Sequence, residues 1–308
     1  MSILLIAPDR EMQSFRKALK SLDPNLDVEI WPDFANKERI NLVVAWNHPE
    51  NLLGQFPNLK VVSSLGSGVD HLMDDSSIPE DVTITRLVSP SLKTQMVDYV
   101  EMSCFNIIRK TPEYYRQRQK GIWKVLAHHS KEEISVGILG LGEIGGYTAE
   151  KLAANRWQVN GWSRSPKKLE GVKSYSKKEL ASFLKASNIV VCMLPLTGQT
   201  DGILDLELFK QMKKPGFLIN TGRGRHLVEE DLIYALDAGI LEAAVLDVFE
   251  KVPLPGTHPF WNRPRITITP HVAAITDPNE LAQQLIDNYK RLSSGMELAH
   301  TVNREDGY

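Results

Sequence analysis

The stretch that decides the fold reads Ile134-Ser135-Val136-Gly137-Ile138-Leu139 and then Gly140-Leu141-Gly142-Glu143-Ile144-Gly145. A helical pattern follows from Tyr147 to Ala154, and a second strand pattern, Gln158–Trp162, follows the helix. A strand that enters a helix through G-x-G-x-x-G is typical of a dinucleotide-binding turn. A glycine-rich turn without a ligand is the alternative for the motif alone, and the second strand argues against it. We expect this turn to bind the cofactor through Gly140, Gly142, Glu143, Ile144 and Gly145.

Each glycine of the motif has its own physical role. Gly140 permits the tight turn, Gly142 lets a pyrophosphate approach the backbone, and Gly145 lets the helix pack closely on the strand. The amide hydrogens at the helix start and the positive end of the helix dipole then hold the phosphates.

The end of the second strand distinguishes NADP from NAD. An NAD site usually carries Asp or Glu here to bind the ribose 2′-hydroxyl, but this chain reads Trp162-Ser163-Arg164-Ser165-Pro166-Lys167-Lys168. A guanidinium matches a 2′-phosphate, so we predict NADPH, with NADH as the weaker alternative. A solvated basic turn remains the other interpretation of this segment. The predicted phosphate contacts are Ser163, Arg164 and Ser165.

Apolar strand patterns and helical patterns alternate along the 308 residues, which predicts an α/β fold with parallel sheets. A long helix from about Thr94 to Lys120 and a second one after Asp277-Pro278 mark two breaks. Asp277 can cap this second helix, with Glu280 completing a capping box. We therefore predict two Rossmann-like domains, one flavodoxin-like and one dinucleotide-binding, with a cleft between them. The substrate-binding domain would comprise residues 1–99 and 276–308, and the cofactor domain residues 100–275.

The predicted strands share short length, β-branched residues and Gly, Pro or Asn flanks. They are Ile3–Ala7, Leu42–Trp46, Val61–Leu65, Ile134–Leu139, Gln158–Trp162, Ile189–Leu194, Phe217–Asn220, Ala244–Val248 and Ile266–Thr269.

Composition excludes several classes of protein. The 36 basic and 38 acidic residues give a net charge of −2, which disfavours non-specific binding to nucleic acid or to a membrane surface. No apolar run approaches the ~18 residues that a membrane span requires. Two cysteines cannot build a disulfide framework, and the opening apolar run, Ile3–Ala7, is too short for a signal peptide. We expect a cytoplasmic protein.

Three polar segments follow predicted strands, where ligands bind in open α/β sheets. They are Asn220-Thr221-Gly222-Arg223-Gly224, Asp247-Val248-Phe249, and Pro270-His271-Val272. Arg223 can grip a carboxylate and polarise a carbonyl, and His271 can supply the proton that accompanies a hydride. Taken singly each is a weak signal. Further cofactor contacts are expected from strand ends at Leu194, Pro195, Thr221 and Gly222, and no metal site is predicted.

Taken together, these motifs resemble the D-isomer-specific 2-hydroxyacid dehydrogenase family over essentially the whole chain. The resemblance is closest to the glyoxylate/hydroxypyruvate reductase A branch. The residues that carry it are Leu65–His71, Gln95–Tyr99, Ser135–Gly140, Trp162–Ser165, the Arg223 segment, Leu246–Phe249, Pro253-Leu254-Pro255 with His258-Pro259, Pro270-His271 and the terminal Gly307-Tyr308.

The resemblance implies an NADPH-dependent reductase of small 2-oxo acids such as glyoxylate and hydroxypyruvate. Arg223 would bind the substrate and His271 would be the general acid, with Asp247 near the nicotinamide. The amides of Gly66, Ser67 and Gly68 would hold the substrate carboxylate. A plain tight turn that binds no anion is the alternative interpretation of this loop. Trp46 and Met96 would line the substrate pocket or simply pack in the core. By analogy, the helix from Thr94 would form a homodimer interface.

The chain departs from the family where a Glu usually precedes Pro-Leu-Pro and pairs with the histidine. This chain has Val252 at that position. A carboxylate beside His271 would raise its pKa and fix its tautomer, and valine does neither. Either an Arg–His pair works with another acid such as Glu250, or activity is largely lost. We expect an active enzyme to reduce best at lower pH than relatives that keep the acid. The alternative function is a catalytically impaired NADP(H)-binding regulatory or partner protein.

Overall fold

The computed structural model describes residues 2–304, so the terminal Gly307-Tyr308 of the resemblance lies outside the described residues. The chain divides into two compact units. The first unit contains the residues up to Ser91 and those from Thr276 onward, and the second spans Leu92–Ile275. The predicted first boundary, after residue 99, lies within a helix that spans Pro90–Ile108.

The first unit is built on a five-stranded parallel sheet with the order β2-β1-β3-β4-β5. Its strands are fully buried at the centre because helices or loops cover both faces. The strands are β1 (Ser2–Ile6), β2 (Asp27–Ile30), β3 (Ile40–Ala45), β4 (Val61–Ser64) and β5 (Thr83–Arg86). The helices are α1 (Gln13–Leu22), α2 (Asp70–Met73) and, at the end of the chain, α9 (Pro278–Ser293).

The second unit is built on a seven-stranded parallel sheet with the order β12-β11-β10-β9-β6-β7-β8. The strands are β6 (Ser135–Leu139), β7 (Gln158–Trp162), β8 (Val172–Tyr175), β9 (Ile189–Cys192), β10 (Phe217–Asn220), β11 (Ala243–Leu246) and β12 (Ile266–Ile268). The helices are α3 (Pro90–Ile108), α4 (Thr111–Gln119), α5 (Glu143–Ala154), α6 (Leu180–Ala186), α7 (Leu206–Gln211) and α8 (Glu229–Asp237).

The predicted α/β class with two parallel sheets is confirmed, and every predicted strand is present. The three strands that the prediction missed, β2, β5 and β8, all lie at sheet edges. These edge strands are less completely covered, so polar residues interrupt the apolar run in each of them. The strand β2, for example, reads Asp27-Val28-Glu29-Ile30.

The single long helix predicted from Thr94 to Lys120 is wrong, because the structure has two helices there, α3 and α4. The break lies at Lys110, whose φ is +56°. Pro112 follows at the start of α4, and a proline cannot continue the hydrogen bonding of a preceding helix.

The capping predicted for the N-terminus of α9 is found in part. The carboxylate of Asp277 accepts the amide hydrogen of Asn279 at 2.8 Å. The predicted capping box is wrong, because the Glu280 carboxylate instead accepts hydrogen bonds from Ser91, at 3.2 Å from its amide and 2.8 Å from its hydroxyl. Within residues 2–304, no helix combines the length and apolar character needed to cross a membrane.

Candidate functional site

The three glycines of the turn after β6 meet different surroundings. Gly140 has φ +110°, and a Cβ there would lie 2.8 Å from the carbonyl oxygen of Met193. A Cβ on Gly145 would lie 1.9 Å from the carbonyl oxygen of Gly140. Gly142 caps α5, and a Cβ on it would meet no atom within 4 Å. Packing therefore requires Gly140 and Gly145, whereas Gly142 borders open space, as the approach of a pyrophosphate requires.

The next two residues of the motif begin α5. Glu143 and Ile144 occupy its first turn, and the Glu143 carboxylate accepts a hydrogen bond from Lys93 Nζ at 2.6 Å. This pairing reduces the negative charge that Glu143 presents at the helix start, where an anion would bind.

The basic turn after β7 is held by its own polar groups. The Ser163 hydroxyl donates to the Ser165 carbonyl at 2.6 Å, and the Ser163 amide donates to the Tyr175 carbonyl at 3.1 Å. The Lys167 amide donates to the Ser174 hydroxyl at 3.0 Å. Arg164 and Ser165 are exposed on this ordered turn, beside the end of β7. Their donors fit a 2′-phosphate.

A series of backbone hydrogen bonds joins the segments that follow the strands at the carboxyl edge of the second sheet. It starts at β7, where the Gly140 amide donates to the Trp162 carbonyl, and ends where the His271 amide donates to the Asp247 carbonyl, each at 2.9 Å. The intervening bonds run from Met193 to Leu139, Thr221 to Cys192, Asp247 to Asn220 and Thr269 to Leu246, with lengths of 2.9–3.2 Å. The predicted cofactor and catalytic segments of this unit therefore share one edge of one sheet.

Arg223 sits on a turn whose backbone is fixed from both sides. The side-chain amide of Asn220 donates to the Arg223 carbonyl at 3.0 Å, and the Arg223 amide donates to His226 Nδ1 at 3.0 Å. Gly224 packs so closely on the next loop that a Cβ would lie 1.9 Å from the carbonyl carbon of Phe249. The guanidinium is half-buried and donates from Nη1 to the Gly222 carbonyl at 2.8 Å.

His271 follows β12 with a φ of +56°, a left-handed backbone conformation that is uncommon for residues other than glycine. Asp247, 1% exposed, holds this conformation. Its Oδ1 accepts from the Thr269 hydroxyl at 2.6 Å and the Val272 amide at 2.9 Å, and its Oδ2 accepts from the Ala273 amide at 2.9 Å. The Asp247 carboxylate thus bonds to residues on both sides of His271, and the imidazole stays exposed.

A buried tyrosine extends this network. Tyr99 Oη lies 2.6 Å from Thr269 Oγ1, and Thr269 gives its only hydroxyl proton to Asp247, so the phenol of Tyr99 is the donor. Burial raises the pKa of Tyr99 to about 12, which keeps the phenol protonated at neutral pH. The order of donors is Tyr99, then Thr269, then Asp247.

The loop that carries Val252 supplies no carboxylate at that position, and the Val252 side chain is 62% exposed. Glu250 is exposed as well. A carboxylate–imidazole pair does occur nearby in the chain, but it joins Glu229 to His258 at 3.0 Å. Among residues 2–304 no cluster of three potential metal ligands occurs.

In the first unit, the predicted carboxylate loop follows β4. The Gly66 amide lies 3.3 Å from the Ser64 hydroxyl, which itself donates to the Gly68 carbonyl at 2.6 Å. A Cβ on Gly66 would lie 3.3 Å from the ring of Trp46, so this ring packs directly over the loop.

The Trp46 ring is held by two neighbours. Its centroid is 4.9 Å from that of His71, and the Arg10 guanidinium lies 4.5 Å from the ring centroid. The structure thus fixes Trp46 beside Gly66, and its role as a pocket wall stays a prediction.

His48 lies in the loop after β3, and its side chain is buried against Asp75. The Nε2–Oδ2 distance is 2.9 Å, and the two side chains are 3% and 6% exposed. Although burial acts to raise it, hydrogen bonds from Ser77 and His48 hold the pKa of Asp75 below its usual value. This pair anchors the loop that begins at Trp46.

The other predicted contacts are partly buried. Met96 is 8% exposed and packs in the apolar core of the second unit. Leu194 and Thr221 are buried, and Pro195 is half-buried. Their contacts with a ligand stay predictions.

Sequence reasoning missed the polar residues that hold the predicted ones. Asn220 and His226 fix the Arg223 turn, and Tyr99 and Thr269 extend the Asp247 network. The available signal was a polar residue inside an apolar pattern, as at Tyr99, but the partner lies far away in the sequence.

Comparison with known proteins gives a consistent result. Residues 102–273 match the family model described as D-isomer specific 2-hydroxyacid dehydrogenase, NAD binding domain. Glyoxylate/hydroxypyruvate reductase A from Yersinia enterocolitica is 36% identical to the chain, with all of each protein covered. The protein of that name from Serratia proteamaculans is also 36% identical over all of each chain.

Two solved structures are similar throughout. An NADPH-dependent glyoxylate/hydroxypyruvate reductase from Sinorhizobium meliloti, in complex with NADP and sulfate, is 35% identical with a TM-score of 0.93, and all of each chain is covered. A D-isomer specific 2-hydroxyacid dehydrogenase from Xanthobacter autotrophicus, in complex with NADPH and MES, is 35% identical with a TM-score of 0.94. This match covers 100% of the present chain and 99% of the other.

We expect Asp247→Asn to destabilise the protein by about 1–3 kcal/mol, because the amide nitrogen would face donors that now bond to a carboxylate. Hydrogen exchange of the Val272 and Ala273 amides should accelerate as well. The control is Asp237→Asn, which weakens an exposed pair with Arg263 and should cost less than about 1 kcal/mol. Equal effects of the two substitutions on unfolding and on exchange would contradict the role of Asp247 in holding the backbone around His271.

Proposed function

The chain belongs to the D-isomer specific 2-hydroxyacid dehydrogenase family, and on that premise we propose that it reduces small 2-oxo acids, glyoxylate and hydroxypyruvate among them, with NADPH. Relatives of 34–36% identity over the full chain are named glyoxylate/hydroxypyruvate reductase A. The reaction is the reduction of the keto carbon to give a 2-hydroxy acid.

One observation carries the proposal. Arg223 and His271 follow β10 and β12, the two neighbours of β11, and Asp247 after β11 bonds to both segments. A guanidinium and an imidazole are therefore held at the same edge of the sheet that carries the glycine turn. Two ordered polar groups of this kind are what the reduction of an acidic carbonyl compound requires from the protein.

The roles follow from the chemistry of the two side chains. The Arg223 guanidinium binds the substrate carboxylate through parallel N–H groups and draws electron density from the adjacent carbonyl. His271, in its protonated form, donates a proton to the carbonyl oxygen as the alkoxide develops. The bound NADPH supplies the hydride. Asp247 keeps the His271 backbone in its left-handed conformation, so we assign it a positioning role in addition to its predicted place near the nicotinamide.

The cofactor residues are proposed on the same grounds. Open space at Gly142 and the start of α5 suit a pyrophosphate, and Arg164 with Ser165 suits a 2′-phosphate. Leu194, Pro195, Thr221 and Gly222 complete the proposed set at the ends of β9 and β10.

In the first unit we propose that the loop after β4 binds the carboxylate through backbone amides. The Gly66 amide already lies 3.3 Å from the Ser64 hydroxyl, so this role would fall mainly to the Ser67 and Gly68 amides. Trp46 would limit the size of the substrate side chain beside them.

We also propose a homodimer in the cytoplasm. Large apolar side chains are exposed after α4 and on α4 itself, among them Trp123 at 100%, Val125 at 84% and Tyr115 at 62%. Exposed apolar residues close together in a segment are typical of an interface between chains. Both cysteines are free and buried, which agrees with a reducing compartment.

The proposed reaction is tested by NADPH oxidation at 340 nm with a panel of 2-oxo acids. We expect turnover with the smallest members, and a loss of about 100-fold or more in kcat/KM for both Arg223→Gln and His271→Gln, since each removes a group that acts in the transition state. Arg225→Gln, on an exposed side chain two residues from Arg223, is the matched control. Binding of NADPH without turnover on any 2-oxo acid would favour the regulatory alternative.

The cofactor assignment is tested by Arg164→Ala. Losing a charge-assisted bond to the 2′-phosphate should raise the KM for NADPH by about 10- to 100-fold and leave the KM for NADH nearly unchanged. Lys178→Ala, on an exposed residue of the same unit, serves as the control. An equal rise in both KM values would contradict the assignment of Arg164 to the 2′-phosphate.

The effect of having valine instead of a carboxylate at position 252 is tested by Val252→Glu. A carboxylate near His271 raises the pKa of the imidazole, so the proton donor stays charged to higher pH. The upper pH limit of reduction should therefore move up by about one unit. Lys251→Glu places the same charge on the neighbouring exposed residue. No shift, or the same shift in both variants, would show that position 252 does not act on His271.

A further inference from the structure

His226 is a fully buried histidine directly behind the Arg223 turn. Its side chain is 0% exposed, and both ring nitrogens lie near backbone groups. Nδ1 lies 3.0 Å from the Arg223 amide nitrogen, and Nε2 lies 3.2 Å from the Pro195 carbonyl oxygen. The ring thus bridges the proposed substrate arginine and a proposed cofactor segment.

The two backbone partners fix the protonation of this ring. An amide is only a donor and a carbonyl only an acceptor, so Nδ1 accepts and Nε2 carries the hydrogen. His226 is therefore neutral, in the Nε2–H tautomer. Cys192 Sγ lies 3.6 Å from Nδ1, and burial raises the pKa of this thiol to about 12, so the sulfur is a weak second donor and not a thiolate.

The Arg223 turn packs tightly against the His226 ring. A Cβ on Gly222 would lie 2.8 Å from His226 Nδ1. The Arg223 guanidinium is itself held by the Gly222 carbonyl, so its direction depends on the same short turn. The backbone of His226 is fixed in turn, since its carbonyl accepts the Leu204 amide at 2.8 Å.

We propose that His226 is a positioning residue that sets the direction of the Arg223 guanidinium through the Nδ1 bond to the Arg223 amide. Its Nε2–H bond to Pro195 keeps the substrate turn in register with the neighbouring cofactor segment. This role rests on the proposed function, because it matters to the reaction only if Arg223 binds the 2-oxo acid.

Three substitutions separate the two ring nitrogens. His226→Asn keeps an acceptor near the Nδ1 position, His226→Gln keeps a donor near the Nε2 position, and His226→Leu keeps neither. A misplacement of about 1 Å in a catalytic group can cost about 100-fold in rate. We expect Leu and Gln to lower kcat/KM for the 2-oxo acid by about 10- to 100-fold, and Asn to restore it to within about fivefold of the wild type.

Two controls distinguish a loss of Arg223 positioning from a loss of the folded protein. Thermal unfolding and NADPH binding, followed by nucleotide fluorescence, should show folded variants that still bind cofactor. Arg225→Ala, which removes an exposed pair with Asp201 on the same turn, should leave kcat/KM within about twofold, as expected for a surface pair. If His226→Leu does not fold, the comparison of Asn with Gln carries the test alone.

The outcomes separate the two claims. A wild-type protein that turns over no 2-oxo acid would overturn the proposed function, and the role of His226 with it. An active wild type with folded Asn and Gln variants of equal kcat/KM would overturn the role of His226 alone. Rescue by Asn and not by Gln, in an active enzyme, supports both.

Discussion

The site depends on the parallel alignment of the second sheet, which brings the carboxyl ends of six strands to one edge and joins the following segments by backbone hydrogen bonds. These bonds run from Trp162 at the end of β7 to His271 after β12. Each segment leaves its strand already paired with the next, so little freedom remains for the side chains to be misplaced. The proposed cofactor and catalytic segments, which lie up to more than a hundred residues apart in the chain, are thereby held along one edge of the sheet.

Buried polar residues then fix the backbone around His271 and Arg223. Asp247 bonds to both sides of His271, and His226 with Asn220 bonds to both peptide groups of Arg223. A buried polar group is costly unless every hydrogen bond is made, so such networks tolerate few alternative arrangements. The exposed or half-buried groups that would meet the substrate are thus held by groups that never meet it.

The sequence predicted all the central strands of both sheets and the edge strand β12, most of which read as apolar runs. It failed at β2, β5 and β8, which lie at sheet edges, and at Lys110, where a left-handed residue divides one long helical pattern. Arg223 and His271 could be proposed because they follow strands. Asn220 stood in a quoted motif without a role, and the role of His226 was not predicted, since its partners, Arg223 and Pro195, are defined by backbone geometry and not by spacing.

At position 252, where the family resemblance implies a Glu, this chain has a valine whose side chain is exposed. The Arg223 guanidinium and the His271 imidazole follow β10 and β12, on either side of the Asp247 segment that follows β11. In the proposed mechanism, the hydrogen bonds of Asp247 to the residues on both sides of His271 position the imidazole, and the Arg223 guanidinium binds the substrate.

The most direct test is a crystal structure with NADPH and the substrate analogue oxamate. We expect oxamate to place its carboxylate on the Arg223 guanidinium and its carbonyl oxygen on the His271 ring, each at about 2.7–3.2 Å. Oxamate bound elsewhere, or bound with either side chain beyond hydrogen-bond reach, would contradict it.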